Sequence, residues 1–238
     1  MQINKGKLYL IPTTLGDDDP MQVLPLSVRN IILQLDSFIV ENEKTARRFI
    51  KNICPEKNQQ ILKFNLIDKH TDSSLYESYL DECFSGISVG VISEAGVPGI
   101  ADPGAEIVKI AHRKNIQVVP LVGPSSILLA MMSSGLNGQN FTFNGYLPID
   151  ASEKKSKIRF LEKQSKENNQ AQIFIETPYR NNKLLDDLIN TLNPATKLCI
   201  AADLTLSSEF IQTLSVREWK TKKVDLHKRP AIFIIQQE

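Results

Sequence analysis

Cysteine is scarce in this 238-residue chain, and its spacing excludes two common ways of stabilising a small fold. Cys54, Cys83 and Cys199 are odd in number and far apart, and no C-x-x-C spacing occurs. This pattern excludes a disulfide framework and a cysteine zinc site, and it is typical of a reducing compartment. The three histidines are isolated as well, so we expect no metal site.

Long apolar runs and a strong charge of either sign are also lacking. The apolar run nearest the N-terminus covers only residues 8–12, which is too short for a signal peptide, and no run approaches the ~18 residues of a membrane span. The formal net charge of +1 gives no general attraction to a polyanion. We therefore expect a cytoplasmic protein without a membrane anchor, in which local patches would hold any nucleic acid.

Glycine is missing after Gly145, and nine of the eleven glycines lie between Gly86 and Gly145. The densest segment, 91–104, reads VISEAGVPGIADPG, and it follows a strand pattern and precedes an amphipathic helix pattern. Such a loop lies at the carboxyl end of a strand, where open α/β sheets bind ligands. Because glycine lets the backbone approach a ligand closely, we predict a ligand site around this loop. Asp102 and Pro103 also fit the start of a helix.

Strand and helix patterns alternate along the chain, which predicts an α/β fold. The first half contains four strand patterns separated by helix patterns, at residues 7–11, 37–41, 87–93 and 116–120. Later in the chain three strand patterns follow with fewer intervening helices, which indicates a mixed sheet. We therefore predict two α/β domains, residues 1–120 with a mostly parallel sheet and residues 121–238 with a mixed sheet.

The loop after the first strand argues against one class of cofactor. Residues 8–16 read as a strand running into a turn, and three aspartates follow at 17–19. The glycine pattern of dinucleotide-binding folds, G-x-G-x-x-G, is missing, and the aspartates would repel a pyrophosphate. We therefore expect no nicotinamide or flavin dinucleotide at this position.

Two further segments each have a structural and a functional interpretation. Residues 122–126 precede an apolar helix, so their serines either cap that helix or lie where its free N–H groups meet a ligand. Residues 154–166 carry six lysines and arginines. A solvated helix is the default interpretation of this basic segment, and contact with RNA phosphates is the alternative.

Five motifs, taken in order, resemble the tetrapyrrole methylase superfamily of S-adenosylmethionine-dependent methyltransferases. Within it, they are most similar to the ribosomal small-subunit RNA (cytidine-2′-O)-methyltransferases. The resemblance runs from Lys7 to about Ile235 and rests on Pro12–Gly16, Ser93–Gly104, Leu121–Ser126 with Ser134–Leu136, Gly145–Pro148 and Glu176–Arg180.

The resemblance implies a bound S-adenosylmethionine, held in a cleft between the two domains of a homodimeric enzyme. The positions that match cofactor-contacting positions of the superfamily are Leu15, Gly96, Val97, Ile100, Ser125 and Ser126. Weaker matches in the second domain are Thr177, Pro230 and Ala231.

Several polar positions depart from the pattern of the superfamily. Residues 41–44 read Glu-Asn-Glu-Lys instead of Glu-Asp-Thr-Arg, Ala202 replaces a basic residue, Tyr179 replaces a histidine, and Glu94 replaces an aspartate. These changes leave the methyl acceptor open. It is either a ribose 2′-hydroxyl of ribosomal RNA, or a small molecule or modified protein side chain, unless the chain is an inactive module that binds RNA or the cofactor.

A ribose hydroxyl needs a proton acceptor, and three carboxylates at or just after predicted strand ends are candidates. They are Glu41, Glu94 and Glu176. The sequence does not choose among them.

Overall fold

The computed structural model describes residues 5–67 and 71–237. Contacts between Cα atoms divide the chain into two compact units, one ending at Ser125 and the other beginning at Ser126. The predicted boundary, between residues 120 and 121, lies slightly earlier in the chain.

The first unit contains a five-stranded, entirely parallel sheet. Its strands are β1 (Leu8–Ile11), β2 (Ser37–Val40), β3 (Lys63–Leu66), β4 (Val89–Ile92) and β5 (Val118–Pro120). They are arranged in the order β3-β2-β4-β1-β5. The central strands β2 and β4 are buried at every position, because helices cover both faces of the sheet.

The helices of the first unit divide between those two faces. On one face α1 (Leu26–Gln34) and α2 (Glu43–Ile53) share an apolar core with the sheet. On the other face the 3-10 helix Ser73–Ser85 and α3 (Gly104–Arg113) form a second core. The chain therefore leaves β1 and β2 towards one face and β4 towards the other, which creates a crevice at the carboxyl ends of these neighbouring strands.

The second unit contains a mixed sheet in the order β6-β7-β10-β8-β9. Its strands are β6 (Phe141–Tyr146), β7 (Ala171–Ile175), β8 (Lys197–Ala202), β9 (Phe210–Ser215) and β10 (Ala231–Gln236). Only β6 and β7 pair in parallel, whereas β10 pairs antiparallel with β7 and β8, and β8 with β9.

The helices of the second unit are α4 (Ser126–Ser134), α5 (Ala151–Asn168), α6 (Asn181–Thr191) and the short α7 (Val216–Trp219). The last three share one apolar core with the sheet. Trp219, the single tryptophan of the chain, is fully buried in this core. Its indole Nε1 donates to the Leu198 carbonyl at 2.8 Å, and its ring lies 6.5 Å from that of Phe210.

The predicted fold class, with a parallel first sheet and a mixed second sheet, is confirmed. Three details differ from the sequence patterns. β3 and α7 were not predicted. Residues 73–84, where apolar side chains on one face predict an α-helix, form the 3-10 helix Ser73–Ser85. Among the residues that the structure describes, no helix is long and apolar enough to cross a membrane.

Candidate functional site

Three loops leave the first sheet at the same edge. They follow β1 at Pro12, β2 at Glu41 and β4 at Ser93, and β4 lies between the other two strands. Because parallel strands point the same way, all three loops border the crevice described above. Two of the sequence-predicted loops and two of the predicted carboxylates, Glu41 and Glu94, therefore come to one edge of the sheet.

The loop after β1 is hydrogen-bonded directly to the glycine-rich loop after β4. The Thr13 backbone N–H donates to the Gly96 carbonyl at 2.9 Å, and the Thr13 hydroxyl donates to the Ser93 carbonyl at 3.2 Å. The Ser93 hydroxyl donates to the Gly96 carbonyl at 2.5 Å. These bonds fix the predicted donor loops against each other.

Gly96 and Gly123 are required by the packing of the protein against itself. Gly96 has a φ of +72°, and a Cβ atom there would lie 3.0 Å from the Pro124 carbonyl oxygen and 3.1 Å from the Leu15 side chain. A Cβ atom at Gly123 would lie 2.3 Å from the ring of Pro12. The first, second and third predicted motifs therefore meet around these two glycines.

Gly99 is different, because the space beside it is open. Its φ is +82°, and a Cβ atom there would have the Ala105 nitrogen, at 3.9 Å, as its nearest heavy atom. The neighbouring side chain Ile100 is 53% exposed, which is unusual for an isoleucine, and Val97 is half-buried. A free backbone surface beside exposed apolar side chains fits a ligand with both polar and apolar parts, as a nucleoside-containing methyl donor has.

One carboxylate holds the glycine-rich loop at the start of α3. The Asp102 Oδ1 atom accepts hydrogen bonds from the backbone N–H groups of Gly99 and Gly104, both at 2.8 Å. Burial raises the pKa of Asp102, and the two bonds partly offset this effect. Asp102 thus acts at the helix start, as its sequence position suggests.

The three candidate proton acceptors lie in different environments. Burial, followed by the charges of Asp102 and Glu94, raises the pKa of Glu41. Glu94 is exposed and accepts a hydrogen bond from the Thr45 hydroxyl at 2.6 Å. Glu41, Glu94 and Asp102 therefore form one electrostatically coupled group in the first unit.

Glu176 belongs to the second unit, where it has a structural role. Its carboxylate is almost completely buried, pairs with the Arg180 guanidinium at 2.5 Å and accepts a bond from the Thr177 N–H at 2.7 Å. A carboxylate with both of these partners is already engaged. Tyr179 beside it is 71% exposed, and its ring meets that of His227 edge-on.

An open pocket of about 150 Å³ adjoins the loops after β1 and β4. Its walls are residues 13–18 after β1, residues 92–95 at the end of β4, and Thr45, Arg48 and Asn52 on α2. The α2 residues were not predicted as part of a site. Their spacing of three and four residues along one helix face is the sequence signal that identifies them once α2 is known.

The structure gives the positions of other predicted donor residues, but it does not test whether they bind the donor. Ser126 begins α4, and Thr177 precedes the 3-10 helix Pro178–Arg180. Pro230 is exposed, whereas Ala231 begins β10 and is buried. They stay predictions.

The basic segment on α5 is only partly available to a ligand. Lys154 is buried and pairs with Asp187 at 3.2 Å, so its charge stabilises the contact between α5 and α6. Lys155, Arg159 and Lys163 are exposed. The interpretation of Lys154 as a phosphate contact is therefore wrong.

No group of three metal-ligating side chains occurs within residues 5–67 and 71–237. His70 lies outside these described residues. Ala202, which stands where the superfamily has a basic residue, is fully buried at the end of β8.

Comparison with known proteins places these observations in context. The family model of tetrapyrrole (corrin/porphyrin) methylases matches residues 7–219. Ribosomal RNA small subunit methyltransferase I of Vibrio cholerae serotype O1 is 29% identical over 211 residues, which cover 89% of this chain and 69% of that protein. The protein of the same name from Leptospira borgpetersenii is 33% identical over 216 residues, covering 87% of this chain and 78% of that protein.

Among solved structures, uroporphyrin-III C-methyltransferase from Thermus thermophilus, complexed with S-adenyl homocysteine, has the same fold. The TM-score is 0.54 at 14% identity, and the match covers 98% of each chain.

Proposed function

Because this chain belongs to the tetrapyrrole methylase family of S-adenosylmethionine-dependent methyltransferases, we propose that it methylates a ribose 2′-hydroxyl of small-subunit ribosomal RNA. The observation that supports this acceptor is the naming of its relatives. Proteins 24% to 33% identical to it are called ribosomal RNA small subunit methyltransferase I. The uroporphyrin enzyme that shares its fold is only 14% identical.

S-adenosylmethionine, when bound, supplies a methyl group that its sulfonium already activates. We propose that the open backbone at Gly99 and the apolar side chains around it help to hold this donor. The proposed donor-binding residues are Leu15, Gly96, Val97, Ile100, Ser125, Ser126, Thr177, Pro230 and Ala231. Orientation of this kind can supply ~7–11 kcal/mol of the barrier to a transfer reaction.

The ribose hydroxyl must lose its proton as its oxygen takes the methyl group. We propose that Glu41 accepts this proton. Within the described part of the chain, no hydrogen bond or ion pair occupies its carboxylate, and its raised pKa makes it a stronger base than an ordinary glutamate. Glu94 is bonded to Thr45 and Glu176 to Arg180, so both are less free to take up a proton.

The proposal extends to the setting in which the enzyme works. We propose a homodimer, as the resemblance to the superfamily implies, and a cytoplasmic location, as the isolated cysteines and the short apolar runs suggest. Light scattering of the purified protein measures the assembly state directly, and a monomeric mass would contradict this part of the proposal.

Two measurements test the function in sequence. Calorimetric titration should give heat with S-adenosylmethionine and none with NAD, and the methyl donor should raise the melting temperature by mass action. Ribosomal RNA from cells with and without the protein should then differ by one 2′-O-methylated nucleoside. Absence of that difference, with donor binding intact, would favour a small-molecule or protein acceptor.

The role of Glu41 has its own test. Glu41→Gln should bind the donor normally and lose most of its methyl transfer, whereas Glu176→Gln should reduce stability as well. If Glu41→Gln transfers methyl groups at the wild-type rate, Glu41 is not the proton acceptor.

A further inference from the structure

The pocket beside the donor loops is small and polar at its rim. Its volume of about 150 Å³ is below the ~300–1,000 Å³ of pockets that enclose drug-sized ligands. It therefore has room to enclose a single planar group. Leu15 lies in its wall and is also a proposed donor contact, so a group in the pocket would lie next to the donor loops.

A row of basic side chains runs along α2 beside this pocket. Lys44, Arg48 and Lys51 are separated by four and three residues, so they share one face of the helix. All three are exposed. The same helix presents Thr45, Arg48 and Asn52 to the pocket. Arg48 is therefore part of the basic row and also lines the pocket.

These basic groups have little to bind within the protein. Across the described ranges, no ion pair involves Lys44 or Lys51. Arg48 pairs with Asp17 at 3.5 Å, but the two side chains are 66% and 93% exposed. An exposed pair of this kind contributes little stability, but Arg48 offsets the negative charge of Asp17 in the pocket wall, which would otherwise repel a phosphate.

Arg47, on the same helix, is in a different position. Its guanidinium pairs with Glu43 at 2.7 Å, donates to the Gln59 carbonyl at 2.7 Å and lies 4.6 Å from the centre of the Phe64 ring. Arg47 therefore has a structural role. The contrast with its neighbours indicates that the charges of Lys44 and Lys51 are available for a ligand.

We propose that this pocket and the basic row on α2 bind a single-stranded RNA segment, with the acceptor nucleoside extruded into the pocket and the flanking phosphates on Lys44 and Lys51. The inference rests on the proposed function and deepens it, because it names the surface that selects RNA. Enzymes that modify one nucleotide take it out of the base stack into such a pocket, and unstacked nucleotides are the usual targets of RNA-specific recognition. With a net charge of +1, the attraction to RNA must come from a local row of this kind.

The phosphate contacts are tested by charge reversal. The double variant Lys44→Glu/Lys51→Glu should bind a single-stranded fragment of small-subunit ribosomal RNA at least ~10-fold more weakly. Two lost contacts should lower the slope of log affinity against log salt by about 1.4, since each contact to a single strand contributes ~0.7. Binding of S-adenosylmethionine should be unchanged.

Lys155→Glu/Arg159→Glu on α5 is the matched control, because it reverses two exposed charges of the second unit. We expect its RNA affinity to stay within about twofold of wild type. If the control loses as much affinity as the α2 variant, either net charge or the basic segment on α5 supplies the attraction, and the inference is wrong. Unchanged affinity of the α2 variant would also overturn it.

The pocket itself is tested with Asn52→Phe, which places a large side chain at an exposed rim position. We expect donor binding to persist and methylation of RNA to fall at least tenfold. Loss of donor binding would mean that the donor occupies this pocket, which contradicts the inference. If the wild-type protein neither binds nor methylates RNA, the proposed function is wrong as well as this inference. If the wild-type protein methylates RNA and both Lys44→Glu/Lys51→Glu and Asn52→Phe do so at the same rate, only this inference is wrong.

Discussion

Replacing Asp102 with alanine would test whether the glycine-rich loop is held in shape by one carboxylate. The Asp102 Oδ1 atom accepts both the Gly99 and the Gly104 N–H bonds. In Asp102→Ala the two N–H groups lose their partner, and the loop loses its attachment to the start of α3. We therefore expect both the stability of the first unit and the affinity for S-adenosylmethionine to fall.

The expected loss of stability follows from the two hydrogen bonds. A helix-capping side chain contributes ~0.5–2 kcal/mol, and an additional hydrogen bond contributes ~1 kcal/mol. Removing a partly buried carboxylate recovers some of this, because burial disfavours its charged form. A net loss of about 1–2 kcal/mol should lower the melting temperature by roughly 3–6 °C.

Differential scanning calorimetry and donor titration measure the two effects separately. In Asp102→Ala the donor must order a loop that is no longer held in shape. If this ordering costs about the same 1–2 kcal/mol, the affinity for the donor should fall by ~5–30-fold. Asp102→Asn is the control, because its amide oxygen can still accept both bonds, and it should stay close to wild type. If Asp102→Ala melts early yet binds the donor with wild-type affinity, the loop is a structural turn and not a donor site.

Three further predictions concern buried ionisable groups. Since folding raises the pKa of Glu41, its contribution to stability is present below the unfolded pKa and is lost as pH rises through the folded one. Glu41→Gln should therefore melt at a higher temperature than wild type at pH 8 and at the same temperature at pH 4, whereas equal melting temperatures at pH 8 would contradict the shift. Lys154→Ala should cost about 1–3 kcal/mol in denaturant unfolding, because it removes the buried partner of Asp187, although Asp187 is 29% exposed and keeps Lys183 at 3.6 Å, and Lys155→Ala, at an exposed site, should cost less than about 0.5 kcal/mol. Burial raises the pKa of Cys83 to about 11, so a thiol reagent at pH 7 should modify it only after denaturation, and fast modification of the native protein would refute this.

The sequence predicts the alternation of strands and helices because both periodicities are strong in the long, buried elements. It misses β3, because this edge strand has only four residues and, although polar and apolar residues alternate in it, Leu66 is exposed as well as Lys63. It misreads residues 73–85 because 3-10 and α-helices place side chains at similar spacings on one face. Whether a strand lies at the edge of a sheet, and whether a helix is 3-10 or α, depends on the neighbouring elements. The local sequence pattern does not determine either.

The sequence likewise predicts some features of the candidate site and not others. That the loop after β4 is a candidate site follows from its glycine content and from its place at a strand end, and the loop after β1 joins it through the resemblance to the superfamily. The reason why position 96 is a glycine does not follow from the sequence, because the atom nearest to a Cβ there would be the carbonyl oxygen of Pro124, far along the chain. Similarly, a count of basic residues on α5 cannot reveal that Lys154 is buried against Asp187 on α6. A run of charged residues predicts a helix, but which of its side chains are buried depends on the elements that pack against that helix.

The position of Trp219 determines what intrinsic fluorescence can observe in this protein. Since the only indole lies in the core of the unit that begins at Ser126, its emission should shift to the red when that unit unfolds and water reaches the ring. Unfolding confined to the strands and loops before Ser125 would leave this signal unchanged. A fluorescence melting curve will therefore coincide with one from circular dichroism only if the two units unfold together, and a gap between the curves would reveal a species with one half folded.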